Sequence, residues 1–143
     1  MKKTDLAYIA GLFDGEGCIQ IVKQKRPEQR NYRSEYSLRC SLEMANEYLP
    51  RLLHMHFGGS LRRRNLPLPR QNQWEWTVRS NVAALFLKDV YPYIILKKGE
   101  ADVALKFQEA MHTIGVGRKR LTEEETAIRE AQHILLSNMK KKT

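Results

Sequence analysis

Cysteine is nearly absent from this sequence of 143 residues: Cys18 and Cys40 are the only two, and they do not form a Cys-x-x-Cys pair. That scarcity argues against a disulfide scaffold and a cysteine-based zinc site, and it fits a reducing compartment. No apolar run reaches the roughly 18 residues that a membrane-spanning helix needs. The opening stretch MKKTDLAYIAGLFDGEGC has the basic start of a secretion signal, but Asp5 and Asp14 interrupt its apolar region. The expected location is therefore intracellular (a bacterial or phage-host cytoplasm, or an organelle), with no membrane partner. Linkers are missing too, so residues 1–143 are expected to form one domain, with a core over about 5–110 and a helical extension over about 111–143. Acidic residues are outnumbered: 16 Asp and Glu against 25 Lys and Arg leave a formal charge of +9. Such an excess favours a polyanionic partner such as nucleic acid, against the plainer reading of a basic, soluble surface.

What is present has a clear order. The apolar fraction, 42%, suffices for a core. Thr4 or Asp5 can cap a first helix ending near Phe13 or Asp14. Alternation follows from Cys18, with Ile19 and Ile21 on one side and Gln20, Val22 and Gln24 on the other. After a polar loop, KRPEQRNYRSE, Leu38, Cys40, Leu42 and Met44 alternate with Arg39, Ser41 and Glu43. Asn46 to Phe57 reads as a short helix that tolerates Pro50 in its first turn and stops at Gly58-Gly59. SLRRRN and QNQWEWTVRS make a second strand pair, and Ser80 is placed to cap a helix that closes at Tyr91-Pro92. KKGEADVALKFQEAMH gives another helix, and Thr122 to Glu125 form a capping box opening a last one. The expectation is an α+β fold: an αββαββα core with an antiparallel four-stranded sheet, helices on one face and extra C-terminal helices.

The stretch from Tyr8 to Ile21, YIAGLFDGEGCIQI, carries the chemistry. On a helix, Ala7, Ala10, Gly11 and Asp14 share one face, and small residues there let a second helix approach closely. Leu6, Ile9, Leu12 and Phe13 would pack on the sheet. Two glycines, Gly15 and Gly17, permit positive φ or close backbone contact. Glu16 then stands at a helix C-terminus, where the dipole disfavours a carboxylate unless a cation accompanies it. A divalent metal is such a cation.

IAGLFDGEG, Ile9 to Gly17, resembles the signature of the LAGLIDADG homing endonucleases, with Gly15 where alanine is usual. The order of elements also resembles that family's core, as does YPYIILKKGEADVALKF, in which a proline-containing turn leads to a lysine at a helix start. The resemblance covers about residues 5 to 110. It implies a saddle-shaped sheet and site-specific double-strand cleavage of a long, roughly palindromic DNA target, leaving 3′ overhangs. It also implies Mg²⁺ (Mn²⁺ or Ca²⁺ as substitutes in binding), held by Glu16 with the Gly15 backbone as a further contact. Asp14 matches the motif's first acid, which supports the helix end and the interface. Two cuts need two sites, and the motif occurs once, so the resemblance implies a homodimer with Ala7, Ala10, Gly11 and Asp14 at the interface.

Two further residues map onto the family's catalytic positions. Lys97 aligns with its active-site lysine, although Lys98 can replace it in the alignment. Asn46 falls where a water-positioning polar residue is common, and a plain helix cap is the rival reading. Arg51 is the local candidate for a family arginine, in a segment shorter here than in the family.

Alternation along the strands also sets out a polar face suited to DNA recognition. The strand faces opposite the apolar one carry Gln20, Val22, Gln24 and Arg26; Ser37, Arg39, Ser41 and Glu43; Arg62 and Arg64; and Gln73, Glu75 and Thr77. Gln, Arg, Ser and Thr side chains can read base edges in the major groove. Arg30 and Arg33, in the loop after the first strand, would reach distal base pairs or phosphates. Arg118 and Lys119, in GVGRKR, would contact phosphates. Trp74, Trp76 and Val78 point inward, and on a strict count Arg63 does as well, as if the strand bulged or ended there. His54 and His56 face different ways on their helix and read as surface residues, not ligands. The rival functions are an intron maturase, whose partner is its own intron RNA, and a DNA- or RNA-binding protein of the same fold that does not cleave.

Overall fold

The computed structural model describes residues 1–25, 34–113 and 122–141. In chain order it comprises α1 (Lys3–Glu16), β1 (Gly17–Lys25), β2 (Ser34–Met44), α2 (Tyr48–Phe57), β3 (Ser60–Arg64), β4 (Gln73–Arg79), α3 (Ser80–Val90), α4 (Lys98–Thr113) and α5 (Glu123–Lys141). This is the expected α+β order. The strands form one antiparallel sheet in the order β1-β2-β4-β3, so β1 and β3 are its edges. Among the described residues no helix is long and apolar enough to cross a membrane.

Period-two alternation decides which sheet face is covered. Ile19 and Ile21 of β1, Leu38, Cys40 and Leu42 of β2, and Trp76 and Val78 of β4 are buried on one face. Their even spacing lets the helices bury one continuous apolar surface. Phe86 of α3 is the hub, with its ring edge-on to Phe13 (5.1 Å), Phe57 (4.9 Å) and Trp76 (4.9 Å). Trp76 buries its indole at no polar cost, because Nε1–H donates to the Gly58 carbonyl at 2.9 Å. Gly59 has φ +86°, and a Cβ there would lie 2.2 Å from the Thr77 carbonyl, so glycine is required where α2 hands over to β3.

Element boundaries differ from expectation at several ends, each for a local reason. The first helix continues to Glu16 and passes directly into β1. Its cap is Lys2, and Asp5 sits in the first turn, where its carboxylate accepts the Lys2 backbone N–H at 3.3 Å. Helix α2 starts at Tyr48, because Asn46 Oδ1 accepts the Tyr48 N–H at 2.8 Å and turns the chain before it. Ser80 makes no side-chain cap bond; it opens α3 at φ +52°. Arg63 needs no bulge: the β3–β4 register runs unbroken from Ser60 to Arg64, and Arg63 lies opposite Trp74 beyond the covered part of that face, exposed. The capping box at Thr122 forms as expected, with Thr122 Oγ1 accepting the Glu125 N–H at 3.1 Å and Glu125 Oε2 accepting the Thr122 N–H at 3.4 Å.

Helix α5 lies along the edge strand β1. Lys23 of β1 pairs with Glu130 at 2.9 Å, and Tyr36 of β2 donates its hydroxyl to the same carboxylate. The Lys23 and Tyr36 bonds hold the Glu130 carboxyl below its ordinary range, while burial and then Glu130 push the Tyr36 phenol up. His133 Nδ1 meets the Ile21 carbonyl at 2.6 Å, and Lys140 Nζ donates to Cys18 Sγ at 3.1 Å. The exposed edge of a sheet is thereby covered by a helix, a common protection against edge-to-edge pairing.

Candidate active site

The C-terminal end of α1 is built by a contact between residues more than 80 positions apart. Asp14 Oδ2 accepts the backbone N–H groups of Ile95 (2.7 Å) and Leu96 (3.2 Å), and Oδ1 accepts that of Lys97 (3.1 Å). These donors precede α4, where helix-start N–H groups otherwise lack partners. Lys97 in turn sends Nζ back to the Asp14 carbonyl at 2.9 Å. A cation on the carbonyls of the last turn suits the dipole of α1. Gly17 is glycine because a Cβ would strike the Phe13 ring at 2.0 Å, so the chain turns flat against that ring and leaves Glu16 exposed at the helix end. Neither Gly15 nor Gly17 takes positive φ; close backbone contact is the reason for Gly17.

The two candidate lysines are separated by what they touch. Lys97 lies on the α1 terminus with Nζ on the Asp14 carbonyl, whereas Lys98 Nζ sits 5.1 Å from the centre of the Tyr91 ring. Asn46 is exposed after β2, its side chain engaged in the turn to Tyr48. Arg51 pairs with Glu47 at 3.1 Å and lies over the Trp74 ring. Among the described residues no three His, Cys, Asp or Glu side chains gather as a metal cage. The donors at the α1 end are one exposed carboxylate, Glu16, and backbone oxygen such as that of Gly15. That set fits Mg²⁺, which is usually held by one or two carboxylates together with substrate phosphates.

On α1, the exposed face is Ala7, Tyr8, Gly11 and Gly15, which shares Ala7 and Gly11 with the face expected. Ala10 is 0% exposed and belongs to the core, a correction to its place at an interface. Leu6, Ile9 and Phe13 turn that side of the helix onto the sheet and take Ala10 with them. Ala7 and Gly11 remain free to meet another chain, and nothing lies within 4 Å of a Cβ built on Gly11 or Gly15. Asp14 is half-buried, its carboxylate engaged within the protomer.

The outward sheet face emerges largely as alternation requires. Gln20, Val22, Gln24, Ser37, Arg39, Ser41, Glu43, Arg62, Arg64, Gln73 and Glu75 are exposed or half-buried on it. Thr77 is the exception: at 5% exposure, paired on one side with Ser41 and on the other with Ser60, it is shielded in the middle of the sheet and is no base reader. Arg26, Arg30, Arg33, Arg118 and Lys119 lie outside the described residues. Arginines and acids on this face pair with each other. Glu75 receives Arg62 at 3.0 Å, Arg39 at 3.4 Å and Arg64 at 3.9 Å, and Arg64 also binds Glu43 at 2.8 Å.

A family model described as LAGLIDADG endonuclease matches residues 9–98. The chain belongs to the LAGLIDADG endonuclease family. The match runs from the start of the motif to the lysine pair, so it takes in the α1 terminus, the sheet and the Asp14–Lys97 contact. No curated protein matches the sequence. Solved structures similar to this LAGLIDADG endonuclease include the archaeal intron-encoded homing endonuclease I-Vdi141I complexed with DNA. It is 14% identical, with a TM-score of 0.75 over 97% of this chain and 86% of that one. The homing endonuclease I-CvuI, in complex with the I-CreI target in the presence of Mg with the DNA not cleaved, is 16% identical. Its TM-score is 0.66, over 94% of this chain and 96% of that one. The homing endonuclease I-TnaI is likewise 16% identical, with a TM-score of 0.66 over 96% of each chain. At these identities the likeness is one of fold.

Sequence reasoning missed three features of this endonuclease. Asp14 is the clamp that carries Lys97 to the motif helix, a pairing across 83 positions that no local pattern reveals. Glu43 and Glu75 are counter-ions to arginines, and the signal was available, since both share the outward phase with Arg39, Arg62 and Arg64. Lys140 of α5 lines a cleft with Gln20 and Arg39, which brings one lysine of that helix beside the outward face.

Proposed function

We propose that this LAGLIDADG endonuclease is a homodimeric, site-specific homing endonuclease that hydrolyses both strands of a long, roughly palindromic DNA target and leaves 3′ overhangs. The observation that carries the reading is the convergence at the α1 terminus, where an exposed carboxylate, Glu16, and an ammonium held by Asp14, Lys97, lie at one helix end. Glu16, with the Gly15 carbonyl, would hold a divalent metal, which supplies charge compensation at the scissile phosphate and a more acidic attacking water. Lys97 would stabilise charge that develops on the phosphate oxygens in the transition state. Asn46 would position water at the edge of the site, in addition to its turn-forming bond. I-CvuI complexes obtained with Mg and with Ca support divalent metal use.

One copy of the motif per chain calls for a second chain to cut the second strand. The surface around α1 supports that partner: Tyr8, Ile95 and Leu96 are 61%, 80% and 71% exposed. Ile95 and Leu96 flank the motif helix because Asp14 holds them there. Large apolar side chains left this open mark an interaction surface. The outward sheet face, with Gln20, Arg39, Ser41 and Arg62, would lie in the major groove.

The test is incubation of purified protein with the uninterrupted insertion site of its gene and Mg²⁺, followed by end mapping. Paired cuts with 3′ extensions are expected. Binding without cleavage by an intact, metal-loaded protein would leave the non-cleaving reading in its place, and binding to its intron RNA alone would favour the maturase.

A further inference from the structure

Glu75 has an unusual place for an acid on a face meant to meet a polyanion. It lies directly opposite Glu43 across the β2–β4 pair, a like-charge juxtaposition that is unfavourable by itself. It is also directly opposite Arg62 across the β3–β4 pair, and its side chain is only 12% exposed. Glu75 Oε1 takes both Arg62 Nη2 at 3.0 Å and Arg39 Nη2 at 3.4 Å, so one oxygen joins side chains from β2 and β3 across β4. Arg64 completes the group by bridging towards both acids. Paired in this way, Arg39 and Arg62 still keep 25% and 66% of their side chains exposed.

We infer that Glu75 is a positioning residue for sequence recognition: it does not read a base but holds Arg39 and Arg62 in one geometry from which their exposed N–H groups face the DNA. The inference rests on the reading of this sheet face as the DNA-reading surface. A long, flexible arginine gains specificity only if its guanidinium fork is held, because bidentate recognition of guanine depends on orientation. Without Glu75, Arg39 and Arg62 near a duplex would settle on phosphates, which carry no sequence information. Glu75 would thus trade grip for discrimination. A negative charge under the DNA weakens binding to every sequence and keeps the arginines from the backbone.

Two substitutions separate charge from geometry. Glu75→Gln keeps shape and removes the charge. It should bind random-sequence duplex about tenfold more tightly, with a salt dependence steeper by about one phosphate contact. It should also lose roughly tenfold in discrimination at the base pairs that Arg39→Ala and Arg62→Ala identify, within the range a good base contact provides. Glu75→Asp keeps the charge and withdraws the carboxylate by one methylene from an Arg39 already at 3.4 Å. It should lose discrimination at the same base pairs while its affinity for random duplex and its salt dependence stay at wild-type values. The measurements are a selection on randomised target sites and salt titrations of binding, with circular dichroism as a check of folding. A wild-type preference left unaltered by both variants would overturn the inference and leave the DNA-reading face intact. Loss at a single base pair that persists when Arg39 and Arg62 are both alanine would also overturn it, because Glu75 would then be reading that base itself. A wild type without any sequence preference would overturn the underlying reading.

Discussion

Asp14→Ala should damage this protein in two measurable ways. The carboxylate accepts three backbone N–H groups, at 2.7, 3.2 and 3.1 Å, from the segment that opens α4. Hydrogen bonds to a charged group contribute roughly 1.5–3 kcal/mol each in net stability. The simple sum is an upper bound, because Ile95 and Leu96 are exposed and water replaces the lost acceptor for their N–H groups. The net cost should resemble a strong helix cap with one partly buried donor added, about 2–3 kcal/mol. For a chain of this length that lowers Tm by about 5–12 °C. The second effect is on the site: without the carboxylate the backbone that carries Lys97 is released from the motif helix and only the Nζ bond to the residue-14 carbonyl is left, so cleavage should fall at temperatures where the variant is still folded. Asp14→Asn keeps one acceptor and should lie between. Thermal melts followed by circular dichroism, with single-turnover cleavage measured well below the melting range, provide both readouts. A Tm within about 2 °C of wild type would refute the clamp.

Gly11→Leu meets no atom within 4 Å of its Cβ in the protomer, so the melting of the monomeric fold should hardly change, while sedimentation equilibrium shows weaker association and cleavage falls with it. An unchanged dimer would move the interface away from α1. Lys97→Met should slow cleavage about 100-fold or more, in line with the loss of one transition-state donor, whereas Lys98→Met, whose ammonium lies over Tyr91, should stay within about threefold; the reverse order in single-turnover assays would exchange their roles. The Glu130 carboxyl is held below its ordinary range by Lys23 and then Tyr36, so its contribution is present above the usual glutamate pKa and is lost as pH falls through its lowered folded value. Melts of wild type and Glu130→Gln from about pH 7 to 3 should therefore converge in acid, and a gap independent of pH would mean that the α5 anchor is not ionic.

Periodicity made the sheet legible in the sequence. Ile19, Ile21, Leu38, Cys40, Leu42, Trp76 and Val78 are buried as their alternation requires, because a one-residue slip would turn every one of them to water. The capping box at Thr122 was equally legible, being a purely local pattern. The rotation of α1 was not. Small residues fit either a helix–helix contact or a tight core, and only the bulk of Ile9 and Phe13 decides that Ala10 faces inward. Thr77 shows the same limit, since alternation gives a side of the sheet and not a depth within it. The motif named Glu16, but the means by which Lys97 reaches the end of the motif helix depends on Asp14 and on a chain return that no spacing encodes. The charge network on the outward face needed the strand order β1-β2-β4-β3, which places Arg39 and Arg62 on either side of Glu75.

Glu16→Gln decides whether the carboxylate at the end of the motif helix holds the metal that cleavage needs. The amide keeps the shape of the side chain and removes the charge that would hold a metal, and the residue is exposed, so folding should be unaffected. The decisive measurement is single-turnover cleavage of the insertion-site duplex in Mg²⁺, run beside a binding titration of the same variant in Ca²⁺. Wild-type affinity with cleavage abolished is the expected result; cleavage at the wild-type rate would contradict the assignment of Glu16 and, with it, the placing of the active site at the end of α1.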